Sequence, residues 1–145
     1  MRFLLFDRVT SVEPGRRITT VKTFSMADEH LNGHFPRRAI VPGTMVLEAM
    51  LQSLGWLVMR THEFRVLPFF SMLEDLTVPP DLRPGVSLAI TGELLSTHAM
   101  GSMGCAEATI DGKSVASIGR VIYGHHPAAN PEEARRRFAC YGDLA

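Results

Sequence analysis

Apolar residues along the chain follow two patterns. From Met45 to Met59 they crowd nearly every side of a helical projection, as expected of a helix buried in the middle of a domain. Pro42 suits the first turn of that helix, which ends near Arg60. Elsewhere the apolar residues come in short runs bounded by Pro, Gly and Asp, which predicts strands at 3–9, 17–24, 66–78, 86–95, 103–110 and 114–123. Glu13-Pro14-Gly15-Arg16 and Pro84-Gly85 read as turns, and Asp111-Gly112 between two strand-like runs is a strong hairpin signal. One long helix followed by successive strands predicts an α+β fold, an antiparallel sheet wrapped around one buried helix. From Pro127 the composition changes to Ala, Asn, Pro and charge. We therefore expect one folded unit over residues 1–127 and a surface tail over 128–145, with a short helix at 131–138 started by Asn130 and Pro131.

The polar exceptions within the buried helix carry the chemistry. Thr44, Glu48 and Gln52 are four residues apart and share one face. A carboxylate there is costly to bury without a partner or a task, and Gln52 stands one turn away to hold it. Upstream, Gly33-His34-Phe35-Pro36 places an imidazole in the irregular segment (residues 25–33 and onward) that leads into the helix. The helix start adds unpaired N–H groups and a positive dipole, a site for an oxygen that gains negative charge. A base, an acid and an oxyanion donor on one segment point to proton-transfer catalysis.

The pattern His34-Phe35-Pro36, then Pro42-Gly43, then Glu48-Ala49-Met50-Leu51-Gln52 resembles the active-site segment of the 3-hydroxyacyl-[acyl-carrier-protein] dehydratases, hot-dog-fold enzymes of fatty acid synthesis. The run from Phe69-Phe70-Ser71-Met72 to Arg83-Pro84-Gly85 resembles a second family segment, and Leu4 to Val9 with Glu13-Pro14-Gly15 a third, so the likeness spans roughly residues 3 to 123. The resemblance implies a hot-dog fold and dehydration of a 3-hydroxyacyl thioester to the trans-2-enoyl thioester. It implies His34 as base, oriented by the Ile40 carbonyl, Glu48 as acid, and the Gly43 N–H as the group that polarises the thioester. Thr44, Gln52, Phe70 and Met72 join Gly43 and Ile40 as candidate oxyanion and substrate-binding residues, although Met45, Met50, Phe69, Phe70 and Met72 read from the residues alone are most simply core. Arg37 and Arg38 beside His34 are candidate contacts for an acyl carrier protein. The resemblance also implies a dimer whose sites are built from both chains, or a multiple of dimers, and leaves room for a paralogous hot-dog partner. Arg37, Ala39 and Met72 depart from the family's usual residues, which points to a specialised lipid or polyketide-like pathway as an alternative to bulk fatty acid synthesis.

Composition narrows the field further. The 145 residues carry zero formal net charge and 46% apolar content, giving no global field for nucleic acid. No segment approaches a membrane-spanning length. Cys105 and Cys140 lack metal or redox spacing, and reduced thiols in a cytoplasmic protein are the expectation. Of six histidines only His34 sits in a motif; no metal site and no nucleotide loop is expected, and no cofactor beyond the phosphopantetheine that carries the substrate. Two other classes remain: a related hot-dog thioester enzyme (a thioesterase or a CoA hydratase), and a non-catalytic hot-dog subunit paired with an active paralogue.

Overall fold

The computed structural model describes residues 4–142. Six strands form one antiparallel sheet: β1 (Arg8–Glu13), β2 (Arg17–Phe24), β3 (Val66–Thr77), β4 (Val86–His98), β5 (Gly101–Ile110) and β6 (Lys113–Pro127). Their order is β1-β2-β4-β5-β6-β3, so β1 and β3 are the two edges. Helix α1 (Gly43–Thr61) connects β2 to β3, which lies beyond β6, and packs against β2 to β6. Burying Val46, Met50, Leu54, Leu57 and Val58 against the sheet is what holds it there. The polar groups under the helix are satisfied. Ser53 donates to the Ala49 carbonyl at 2.7 Å, which leaves Thr20 to donate to the Ser53 hydroxyl, also at 2.7 Å.

Most expected elements form, β2 over the expected residues. The hairpin β5–β6 turns at Asp111 (φ 49°) and Gly112 (φ 77°), the pair of positive φ angles that its tight turn requires. The first strand is displaced: expected at 3–9, it runs from Arg8 to Glu13. Two forces move it. Leu5 and Phe6 are buried as core side chains over α1, where the Leu5 N–H donates to Gln52. Asp7 then accepts from the Thr23 N–H at 2.6 Å and from Lys22 at 3.1 Å, spending strand-forming groups of β2 on a side chain.

Helix α2 (Pro131–Ala139) starts as its composition predicts, with the Asn130 side chain accepting from the Glu133 N–H at 3.0 Å. Its arginines are exposed, but Phe138 is buried and stacks on Trp56 of α1 at 5.2 Å. The Tyr141 carbonyl accepts from the Val9 N–H at 2.7 Å. No helix among the described residues is long and apolar enough to cross a membrane.

Candidate active site

His34 sits in the loop between a short 3-10 turn, Glu29–Leu31, and α1. The loop closes on itself: Phe35 and Arg38 exchange backbone hydrogen bonds at 3.0 and 3.1 Å, and the Ile40 N–H donates to the His34 carbonyl at 2.8 Å. The Ile40 carbonyl in turn lies 2.9 Å from His34 Nδ1. A carbonyl can only accept, so the hydrogen of the neutral ring is on Nδ1 and Nε2 carries the free lone pair. Phe35 stacks on the imidazole at 4.5 Å.

Glu48 is half-buried one and a half turns into α1. Its carboxylate accepts from Gln52 Nε2 at 2.9 Å. The orientation of that amide is dictated from its other side. The Leu5 N–H, a donor only, lies 2.8 Å from Gln52 Oε1, so the amide N–H₂ must face Glu48. The charge on Glu48 is felt by the buried Tyr123, whose phenol is pushed up first by burial and then by that carboxylate. Tyr123 donates to the Leu51 carbonyl at 2.7 Å.

Helix α1 begins without a side-chain cap and without an acidic residue in its first turn; the Met45 N–H donates to the Pro42 carbonyl at 2.9 Å, and the N–H groups of Gly43 and Thr44 precede it at the positive end of the helix. Gly43 is required by close approach: a Cβ there would stand 2.9 Å from Val78 Cγ2. Thr44, exposed, begins the stripe that continues through Glu48 and Gln52. Phe70 of β3 lines the cleft next to Glu48, a space of about 250 Å³. Met72 does not line it; it lies beyond a β-bulge that follows Phe70 and is 42% exposed on the sheet edge. With Phe69, 54% exposed, it corrects the simple expectation that these β3 residues are core. The reason is positional, since β3 is an edge strand with a paired neighbour, β6, on one side only.

Arg37 and Arg38 line a separate cleft of about 400 Å³ with Phe35 and Arg83, and Arg38 is ion-paired to Asp81. Arg83 was legible only as part of a turn. Trp56 and Met59, which extend the Glu48 cleft, carry no sequence signal beyond helical apolarity. His34 does not line the Glu48 cleft, and among the described residues no hydrogen bond joins the two. Nor does any group of three His, Cys, Asp or Glu side chains there stand ready for a metal ion.

Residues 1–119 match the FabA-like domain. The chain belongs to that family. It is 36% identical over 114 residues to the 3-hydroxyacyl-[acyl-carrier-protein] dehydratase FabZ of Bacillus cytotoxicus, covering 78% of this chain and 79% of the relative. It is 34% identical over 134 residues to the FabZ of Symbiobacterium thermophilum, covering 92% and 94%. Among solved structures it resembles a Streptococcus mutans protein bound to acetyl CoA, with a TM-score of 0.68 at 15% identity over 90% of this chain and 95% of that one. Zebra fish thioesterase superfamily member 2 gives 0.62 at 14% identity over 80% and 78%. These structural likenesses carry the fold, and it is the hot-dog fold.

Proposed function

We propose that this protein dehydrates 3-hydroxyacyl thioesters, presented on acyl carrier protein, to trans-2-enoyl thioesters in fatty acid biosynthesis. The observation that carries the reading is the oriented pair: His34 with Nε2 free, and Glu48 held by Gln52, on the segment matched to the FabA-like family. Nε2 of His34 removes the proton alpha to the thioester carbonyl. The electrons of that C–H bond move towards the carbonyl oxygen, which the Gly43 N–H and the α1 dipole stabilise. Their return expels the 3-hydroxyl, which leaves as water with a proton from Glu48; for this step Glu48 is the carboxylic acid, its proton restored from solvent after each turnover as His34 gives up the one it took. Thr44 and Phe70 flank the substrate, while Met72 stands outside the cleft on the edge of β3. The reaction moves protons only and calls for no cofactor besides the phosphopantetheine arm of the carrier.

A site shared between two copies is supported by two features. His34 does not line the cleft beside Glu48 and is not hydrogen-bonded to it, and β3 presents Leu67, Phe69, Phe70, Met72 and Leu76 at an unpaired sheet edge. We read the assembly as a homodimer or a multiple of one. Arg37, Arg38 and Arg83 form a cationic rim suited to an acidic carrier protein and its phosphate. Free thiols at Cys105 and Cys140 support a cytoplasmic setting. The test is to mix the purified protein with 3-hydroxyacyl-carrier-protein thioesters and with the matching CoA thioesters. Enoyl product from the carrier-bound substrates is expected; hydrolysis to free acid, or no product, would overturn the assignment.

A further inference from the structure

The helical side of the Glu48 cleft is made by Glu48, Leu51, Gln52, Gly55, Trp56 and Met59, a spacing that follows one face of α1. The cleft therefore runs along the helix axis, and at 1.5 Å per residue it extends about 16 Å from Glu48 to Met59. Leu67, Pro68 and Phe70 of β3 form part of the opposite wall. A second cleft, of about 290 Å³, shares Trp56, Met59 and Leu67 with the first and ends against Ala134 and Arg137 of α2. The two clefts adjoin at those three residues.

Gly55 lies in the middle of this floor. Glycine inside a helix is unfavourable relative to alanine, so its place there asks for a reason. Close packing does not demand it: a Cβ at Gly55 would meet only Pro68 Cγ at 3.6 Å, an ordinary contact. What the missing side chain leaves is a methyl-sized gap between the helix and Pro68 in the wall of the cleft. At the far end the lining changes character, with Asn130, Glu133 and Arg137 around the opening and an ion pair between the last two. An alkyl chain gains by covering Trp56, Met59 and Leu67 and then Val66, Ala128, Ala129 and Ala134, and stops where the Glu133–Arg137 ion pair would have to be covered.

We propose that Gly55 keeps the acyl passage open and helix α2 is its end stop, so that together they set the longest chain the enzyme takes. This rests on the dehydratase reading, since it needs an acyl chain that leaves from Glu48. Helix α2 lies beyond residue 119, where the match to the FabA-like domain ends.

The test is a chain-length series of saturated 3-hydroxyacyl-carrier-protein thioesters, turned over by the full chain and by Gly55→Leu and Ala134→Phe. Gly55→Leu should lower kcat/KM for long chains about tenfold more than for short ones, the scale at which a filled apolar pocket discriminates. Ala134→Phe should do so for the longest chains alone. Gly55→Ala, a smaller filling that also favours the helix, should shift the profile in the same direction if Gly55→Leu folds poorly. Unchanged profiles in folded variants of an active enzyme overturn the inference while leaving the dehydratase reading intact. So does a change in association state without a change in profile, which would mean that a second copy fills the passage. Wild-type protein inactive on every length overturns both.

Discussion

Each reacting group is held through a bond that leaves it one way to act. The Ile40 carbonyl commits one nitrogen of His34, and the Leu5 N–H turns the Gln52 amide so that only its donor end meets Glu48. His34→Ala and Glu48→Gln should each lower kcat by roughly 100-fold or more, the usual scale of a lost general acid or base, with the unfolding transition preserved. Near-normal turnover in either variant, measured by enoyl absorbance, would remove that residue from the chemistry. Gly43 invites a structural test of the helix start. Gly43→Ala drives a methyl into Val78, so it should lose about 1–3 kcal/mol of stability by overpacking. The double variant Gly43→Ala, Val78→Ala should recover part of it. Chemical denaturation of the four proteins checks the coupling, and strictly additive losses would refute the contact.

At the scale of elements, the ends of α1, β4, β5 and β6 meet in a polar cluster away from the reaction. His62 closes α1 and its Nε2 lies 2.7 Å from the Thr97 hydroxyl of β4. That hydroxyl reaches Ser102 of β5 at 2.6 Å, and Ser102 reaches His125 Nε2 of β6 at 2.9 Å. The His62 and His125 rings stand 4.7 Å apart. Burial, and then the neighbouring His98, pulls the His62 pKa below its ordinary value. Burial, then His62, does the same to His125, with its hydrogen bond to the Ala99 carbonyl opposing and His98 adding a smaller push downward. Both rings therefore bind protons more readily unfolded than folded. Their contribution to stability is present above the ordinary value of 6.5 and is lost as pH falls through the lowered folded values. The urea midpoint should drop on acidification below that value, and His125→Gln should make the drop shallower. An identical acid limb in the variant would show that other groups set it.

For the whole molecule, the proposed dimer makes the sheet edge the surface to test. A strand with exposed Phe69, Phe70 and Met72 and open backbone groups is a surface made to be covered. Inactive His34→Ala and inactive Glu48→Gln chains, mixed in equal amounts with exchange allowed, should regain about a quarter of wild-type activity, because half the dimers are mixed and each holds one intact site. No recovery after proven subunit exchange would place both groups of each site in a single chain.

Much of this was legible in the chain because it depends on neighbours in sequence. The buried helix α1, the Asp111-Gly112 hairpin and the Asn130-Pro131 helix start are local, and each is where the sequence predicts it. What was not legible depends on contacts distant along the chain. The apolar run Leu4–Phe6 reads as strand, yet Gln52 and Trp56, some fifty positions away, draw it over the helix. Phe69 and Met72 read as core because hydrophobicity does not reveal whether a strand is central or at an edge; sheet order alone makes β3 the edge. The passage over Gly55 to α2 has no sequence signature either, since its walls come from α1, β3 and the C-terminal segment. Its existence is a matter of which surfaces meet, and that is decided when the helix settles into the sheet.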